Sequence, residues 1–162
     1  MAENVQVGIL MGSDSDLPIM KEASDILTLF GISNEMKIIS AHRSPYLLSE
    51  YVSGAHQRGI KVLIAGAGAA AHLPGVTAAY TPLPVIGVPI KSKALEGMDS
   101  LFSIVQMPSG VPVATVTING AKNAGILAAQ IIGTGNDDIL NKIIDFKKKL
   151  AEESIRKNDL IK

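Results

Sequence analysis

The sequence predicts a three-layer α/β sandwich, with a five-stranded parallel sheet covered by helices on both faces and one further helix at the C-terminus. Three observations carry this. Short aliphatic runs recur along the chain, each followed by a loop of small or polar residues. Single helical patterns separate the runs, and strands joined through one helix pair in parallel with right-handed crossovers. The runs are nearly continuous in apolar residues, as strands covered on both faces are.

The first run, "VQVGILM" (residues 5–11), stops at Gly12 and the polar "SDSD". The helix that follows puts Ile19, Met20, Ala23, Ile26, Leu27 and Phe30 on one face and Lys21, Glu22 and Asp25 on the other. Pro18 suits its first turn and Gly31 its end. A second strand, "MKIIS", leads through "HRSP" into a helix over 45–57. The third, "KVLIAGAG", precedes a helix starting near His72, and the fourth, "LPVIGVP", precedes a more polar loop. A fifth strand is expected near "GVPVATVTI", followed by the helix "NAGILAAQII". The surplus helix, 136–157, is amphipathic, with Ile139, Leu140, Ile143, Ile144 and Leu150 on one side. Its "KKK" reads as a solvated face. Ser100 to Ala121 contains no charged residue, and charge depletion marks the buried centre of a subunit interface.

A chain of 162 residues without internal repeat or long linker is read as a single domain, 1–162. Its hydrophobic content of 47% and charged content of 19% describe a folded globular protein. With a formal net charge of +0 it has no bulk field to draw it to nucleic acid or an anionic membrane, so an anionic partner must be held by local groups. A small-molecule ligand is the expectation. The absence of cysteine removes thiol catalysis, thiolate metal sites and disulfides. "MAENVQVGILMG" has no basic leader with a cleavage site, and the longest apolar stretch is broken by a histidine, a proline and glycines. A cytoplasmic protein without a membrane span is therefore expected.

In an open parallel sheet, ligands bind outside the carboxyl ends of the strands. That rule selects "GSDSD" (12–16), "SAHRS" (40–44) and "AGAGAAAH" (65–72). In the first, the hydroxyls of Ser13 and Ser15 and the backbone N–H groups suit a phosphate at a helix N-terminus. Asp16 either accepts from sugar hydroxyls or caps the helix beginning at Leu17. In the second, His42 can change protonation near neutral pH, and Arg43 carries a permanent charge able to fork onto a phosphate. The competing account of His42 is a polar plug at a strand end. The third loop leaves room for a ligand to approach the backbone, or packs small residues against a helix; His72 caps or lines the site. His56 is expected on the surface.

Other chemistries lack their residues. The glycine spacing fits neither a Walker nor a dinucleotide fingerprint. A receiver domain would place a phosphorylatable Asp after strand three, where this chain has "AGAG". A flavin carrier stacks its ring on aromatics, and there is no Trp, with three Tyr and three Phe. The three histidines are isolated along the chain, which offers no metal-ligand spacing.

Taken in order, "GSDSD", "SAHRSP", "AGAGAAAHLPG" and "DSLFSIVQMPSGVPVATVTI" closely resemble the N5-carboxyaminoimidazole ribonucleotide mutase family of purine biosynthesis, from Val5 to about Ile132. "SIVQMPSGVPVAT" resembles the bacterial mutase branch more than the branch that carboxylates aminoimidazole ribonucleotide directly with CO2. The resemblance implies a flavodoxin-like fold, a homo-octamer with active sites at subunit contacts, a ribonucleotide substrate, and no cofactor or metal. It also implies that the terminal helix packs on a neighbouring subunit. Carried over by motif, Ser13, Ser15 and Asp16 hold the ribose phosphate, with Asp16 on the ribose hydroxyls; Ser40 and Arg43 fix the phosphate; His42 is acid and base. Gly68 and Ala69 enclose the carboxylate or released CO2, with His72 beside them. Two departures stand out. Where the family commonly has Gly-Gly this chain has Gly68-Ala69, whose added methyl is expected to narrow the pocket or require a negative φ. The loop "INGAKNAG" is two residues shorter than a common version, which is expected to alter local shape without removing chemistry. Direct carboxylation and a non-catalytic nucleotide-binding module are the competing functions.

Overall fold

The computed structural model describes residues 4–161, so the outermost residues of the predicted domain, 1–3 and 162, lie outside the description. Five parallel strands form one sheet: β1 (Val7–Met11), β2 (Asn34–Ile38), β3 (Val62–Gly68), β4 (Val85–Ile90) and β5 (Ala114–Thr115). Their order is β2-β1-β3-β4-β5, which places the reversal of strand order between β1 and β3. Among the described residues six α-helices accompany the sheet: α1 (Leu17–Leu29), α2 (Pro45–Ser53), α3 (Leu73–Tyr80), α4 (Met98–Val105), α5 (Ala121–Gly133) and α6 (Asp137–Arg156).

Side chains of β1 alternate between two cores, which is why the run is apolar throughout. Val7, Ile9 and Met11 pack with Met20, Ala23, Ile26 and Leu27 of α1 and the alanines of α5. Leu10 points the other way, to join Leu48 and Val52 of α2, Leu73 of α3 and Ile104 of α4. Helices thus cover both faces, and the three-layer prediction holds.

Several elements depart from the sequence reading. β2 lies at the sheet edge and is only partly covered, with Ile38 and Lys37 exposed, so the expectation of a strand buried on both faces fails there. β5 pairs through two residues only, where the run 110–118 was expected. Pro112 has no N–H for a ladder and helps keep the strand short. Helix α2 stops at Ser53 and a 3₁₀ turn over His56–Arg58 follows, closed by Gly59 at φ +93°. The helix α4 was not anticipated. It buries only Ser100 and Ile104, and the Ser100 hydroxyl lies 2.9 Å from both the Ile90 and Gly97 carbonyl oxygens.

The apolar face of α6 is divided. Asn136 caps the helix, its Oδ1 accepting from the Ile139 N–H at 3.1 Å. Ile139 and Ile143 are buried within the chain, and Phe146 meets Phe30 edge to face at 5.4 Å. Lys142 Nζ donates to the Phe30 carbonyl at 2.8 Å, placing a cation on the C-terminal end of α1. Leu140, Ile144 and Leu150 remain exposed. Among the described residues no helix is long and apolar enough to cross a membrane.

Candidate active site

The loops leaving the carboxyl ends of β1, β2, β3 and β4 enclose one cavity of about 490 Å³. Residues from all three loops selected in the sequence meet there: Ser13, Ser15, Asp16, Ser40, His42, Arg43, Gly68, Ala69 and His72 all line it. It sits beside the reversal of strand order, as expected for an open α/β sheet.

After β1 the chain turns at Gly12 into a 3₁₀ turn, Asp14–Asp16, that runs on into α1. Ser13 caps this turn, its Oγ accepting from the Ser15 N–H at 3.3 Å and from the Ser15 hydroxyl at 3.0 Å. Asp16 makes no side-chain capping bond, so the capping account of it fails, and it lines the cavity instead. Partial burial raises its carboxyl above the ordinary value of 3.8; the Ser13 backbone amide opposes the rise and the Asp14 carboxylate adds to it. A raised folded-state pKa means that the folded protein holds a proton the unfolded chain has released. Asp16 therefore contributes less to stability as pH rises from the ordinary value of 3.8 through its raised folded-state value. Asp16→Asn is expected to make the free protein more stable than the parent at pH 7. The difference should narrow as pH falls toward the ordinary carboxylate value; thermal unfolding across pH checks both, and a variant less stable at pH 7 contradicts the account.

The loop after β2 is tied by its own serines. The Ser40 N–H donates to Ser44 Oγ at 3.1 Å, and the Ser44 N–H donates to the Ser40 carbonyl at 2.9 Å just before Pro45 opens α2. Arg43 is aimed from there back across the site. Its Nη2 donates to the Gly12 carbonyl at 2.8 Å and its Nε to Ser40 Oγ at 3.3 Å, so two loops hold one guanidinium. His42 Nε2 lies 2.7 Å from His72 Nδ1, with the rings edge to face at 84°. One ring donates and the other accepts, so both facing nitrogens cannot carry protons while this contact lasts. His42 is thus no buried plug; it is exposed at the cavity. His72 makes no side-chain cap for α3 and lines the cavity.

At the end of β3, Ala69 adopts φ +52°. The methyl has not driven the backbone to negative φ as one expectation had it; the left-handed conformation is kept with an alanine in it, at a cost of about 1 kcal/mol. Gly68 beside it lies close to β4, where a Cβ would come 3.3 Å from the Ile90 carbonyl. His56 is exposed and does not line the cavity, as expected of a surface residue.

Sequence reasoning missed the fourth wall. Lys91 and Ser92 follow β4 and line the same cavity, and the carboxyl-end rule applied to "LPVIGVP" would have found them. Lys91 is ion-paired with Glu96, and Ser92 Oγ donates to Asp99 at 3.0 Å. The cavity thus combines two cations, a half-buried carboxyl, two imidazoles in contact and a wall of glycine and alanine. Such a set can hold an oxyanion and a polyhydroxylated ring while moving a proton.

The AIR carboxylase family model matches residues 6–153. The N5-carboxyaminoimidazole ribonucleotide mutase of Thermotoga maritima is 60% identical over 152 residues, which are 94% of this chain and 89% of that one. The chloroplastic phosphoribosylaminoimidazole carboxylase of Vigna aconitifolia is 53% identical over 153 residues, 94% of this chain but only 28% of that one. The crystal structure of Treponema denticola PurE matches with a TM-score of 0.89 at 28% identity, covering 97% of this chain and 98% of that one, in agreement with the flavodoxin-like strand order. With a match that begins before β1 and runs into α6, the chain belongs to the AIR carboxylase family.

Proposed function

We propose that the chain isomerises N5-carboxyaminoimidazole ribonucleotide to 4-carboxyaminoimidazole ribonucleotide, a step of purine biosynthesis. The observation that carries this is the 60% identity with a mutase of nearly the same length, against a carboxylase of which the chain matches only 28%. In this reading Arg43, Ser13, Ser15 and Ser40 hold the phosphate and Asp16 accepts from the ribose hydroxyls. Binding energy spent on that remote end positions the imidazole beside His42.

The N–C bond of the carbamate breaks, its nitrogen takes a proton from His42, and CO2 is released against Gly68 and Ala69. Ring carbon 4, made electron-rich by the amine, then forms a C–C bond with that CO2. Its hydrogen returns to His42 as a proton, so the imidazole ends as it began and no co-reactant is consumed. His72, in contact with His42, orients the ring.

Exposed Phe102 and Val105 in the charge-free stretch, and Leu140, Ile144 and Leu150 on α6, support an assembly that covers them, the homo-octamer with sites at subunit contacts. We place this single mutase domain in the cytoplasm. Purified protein supplied with fresh N5-carboxyaminoimidazole ribonucleotide in bicarbonate-depleted buffer should form the carbon-linked carboxylate with little exchange of labelled CO2 from solution. Product formed only from aminoimidazole ribonucleotide and added CO2 would instead establish the direct carboxylase, and binding without turnover of either substrate a non-catalytic module.

A further inference from the structure

We infer that Lys91 is a second phosphate-binding residue of this cavity, exchanging its exposed pairing with Glu96 for the substrate's phosphate on binding. The inference rests on the ribonucleotide reading above. A phosphate monoester carries a charge of about −1.5 to −2 near neutral pH. In the loops after β1 and β2 that hold it, Arg43 supplies one permanent positive charge, and its guanidinium already donates to Gly12 and Ser40. Among the described residues Lys91 is the other cation of this kind that lines the cavity, and it enters from the opposite side of the site, after β4.

A smaller recess of about 450 Å³ adjoins the first, lined among others by Ser15, Lys91, Lys93, Glu96 and Asn119. Ser15 and Lys91 border both spaces. A phosphate on the Ser13–Ser15 turn therefore has Arg43 on one flank and Lys91 on the other.

The backbone around Lys91 is fixed while its ammonium is not. Its N–H donates to Asn119 Oδ1 at 2.9 Å, and the Asn119 N–H donates to the Pro89 carbonyl at 2.8 Å, with Asn119 itself at φ +58°. Glu96 also sits at positive φ, +57°, in the loop that presents it to Lys91. The two paired side chains are 53% and 67% exposed. An ion pair so open to water contributes little, so a dianion bringing its own hydrogen-bond geometry displaces the carboxylate readily.

Ribose 5-phosphate binding, followed by calorimetry on the full-length protein, tests this without requiring turnover. Lys91→Gln should weaken binding about tenfold and flatten its dependence on salt, as loss of one charge-assisted contact predicts. Lys91→Arg should restore most of the affinity, and Glu96→Gln should bind as tightly as the parent or more tightly. In the mutase assay the Lys91→Gln loss should fall mainly on KM. Binding by Lys91→Gln within twofold of the parent, or a parent that does not bind ribose 5-phosphate, overturns the inference. A parent whose affinity depends on Lys91 but which does not isomerise N5-carboxyaminoimidazole ribonucleotide would overturn the functional reading and support the anion site.

Discussion

His42→Asn is expected to lower turnover of N5-carboxyaminoimidazole ribonucleotide by about a thousandfold or more while leaving ribonucleotide binding within a few fold. A positioned general acid or base contributes roughly 10²–10⁴-fold, and His42 is asked to serve twice in one cycle. Asparagine preserves a polar side chain of similar reach at the cavity wall but carries no exchangeable charge near neutral pH. The phosphate contacts assigned to Arg43 and the serines do not pass through His42; the Arg43 guanidinium is held by Gly12 and Ser40. Steady-state kinetics and a separate binding measurement divide the effect between kcat and affinity. Turnover within tenfold of the parent would remove His42 from proton transfer.

Gly125→Val is expected to produce the largest loss of stability. Gly125 is buried in α5 where that helix meets α1. A Cβ built on it would lie 2.9 Å from the Ala23 carbonyl oxygen, 3.2 Å from the Ala23 Cα and 2.4 Å from Ile26 Cγ2. Two of these are backbone atoms of α1, so no rotamer change relieves the contact and the helices must separate. Overpacking of this kind costs about 1–3 kcal/mol, and the better helix propensity of valine returns only a few tenths. For a chain of this size the Tm should fall by about 2–12 °C. Gly135→Ala provides the contrast, since nothing lies within 4 Å of the added Cβ and the backbone there is not in the left-handed region. An unchanged Tm for Gly125→Val would show that the α1 and α5 contact is looser than its geometry.

By itself the sequence determined the sandwich, the inward face of α1, and the three loops in which Ser13, Asp16, His42, Arg43 and Gly68 stand. Those properties follow from local periodicity and from the rule that open parallel sheets bind at strand ends, both of which read directly from the order of residues. It also placed Ile139 and Ile143 on an apolar helix face. The tertiary structure decided how that face is divided, because burial depends on what packs opposite: Phe30 and α5 cover one edge of α6 and leave Ile144 and Leu150 exposed. It also decided that β5 shrinks to Ala114–Thr115 and that a helix stands at Met98–Val105, where a short amphipathic pattern buries only two residues. Asp16 could cap a helix or turn to a cavity on local grounds alone, and only the folded chain shows a side chain that makes no capping bond and lines the cavity. The contact between His42 and His72 spans thirty positions, and Lys91 enters the cavity from a fourth strand. Neighbours along the chain set the elements, whereas the imidazole contact and the charge balance of the site arise from groups that only the folded sheet brings together.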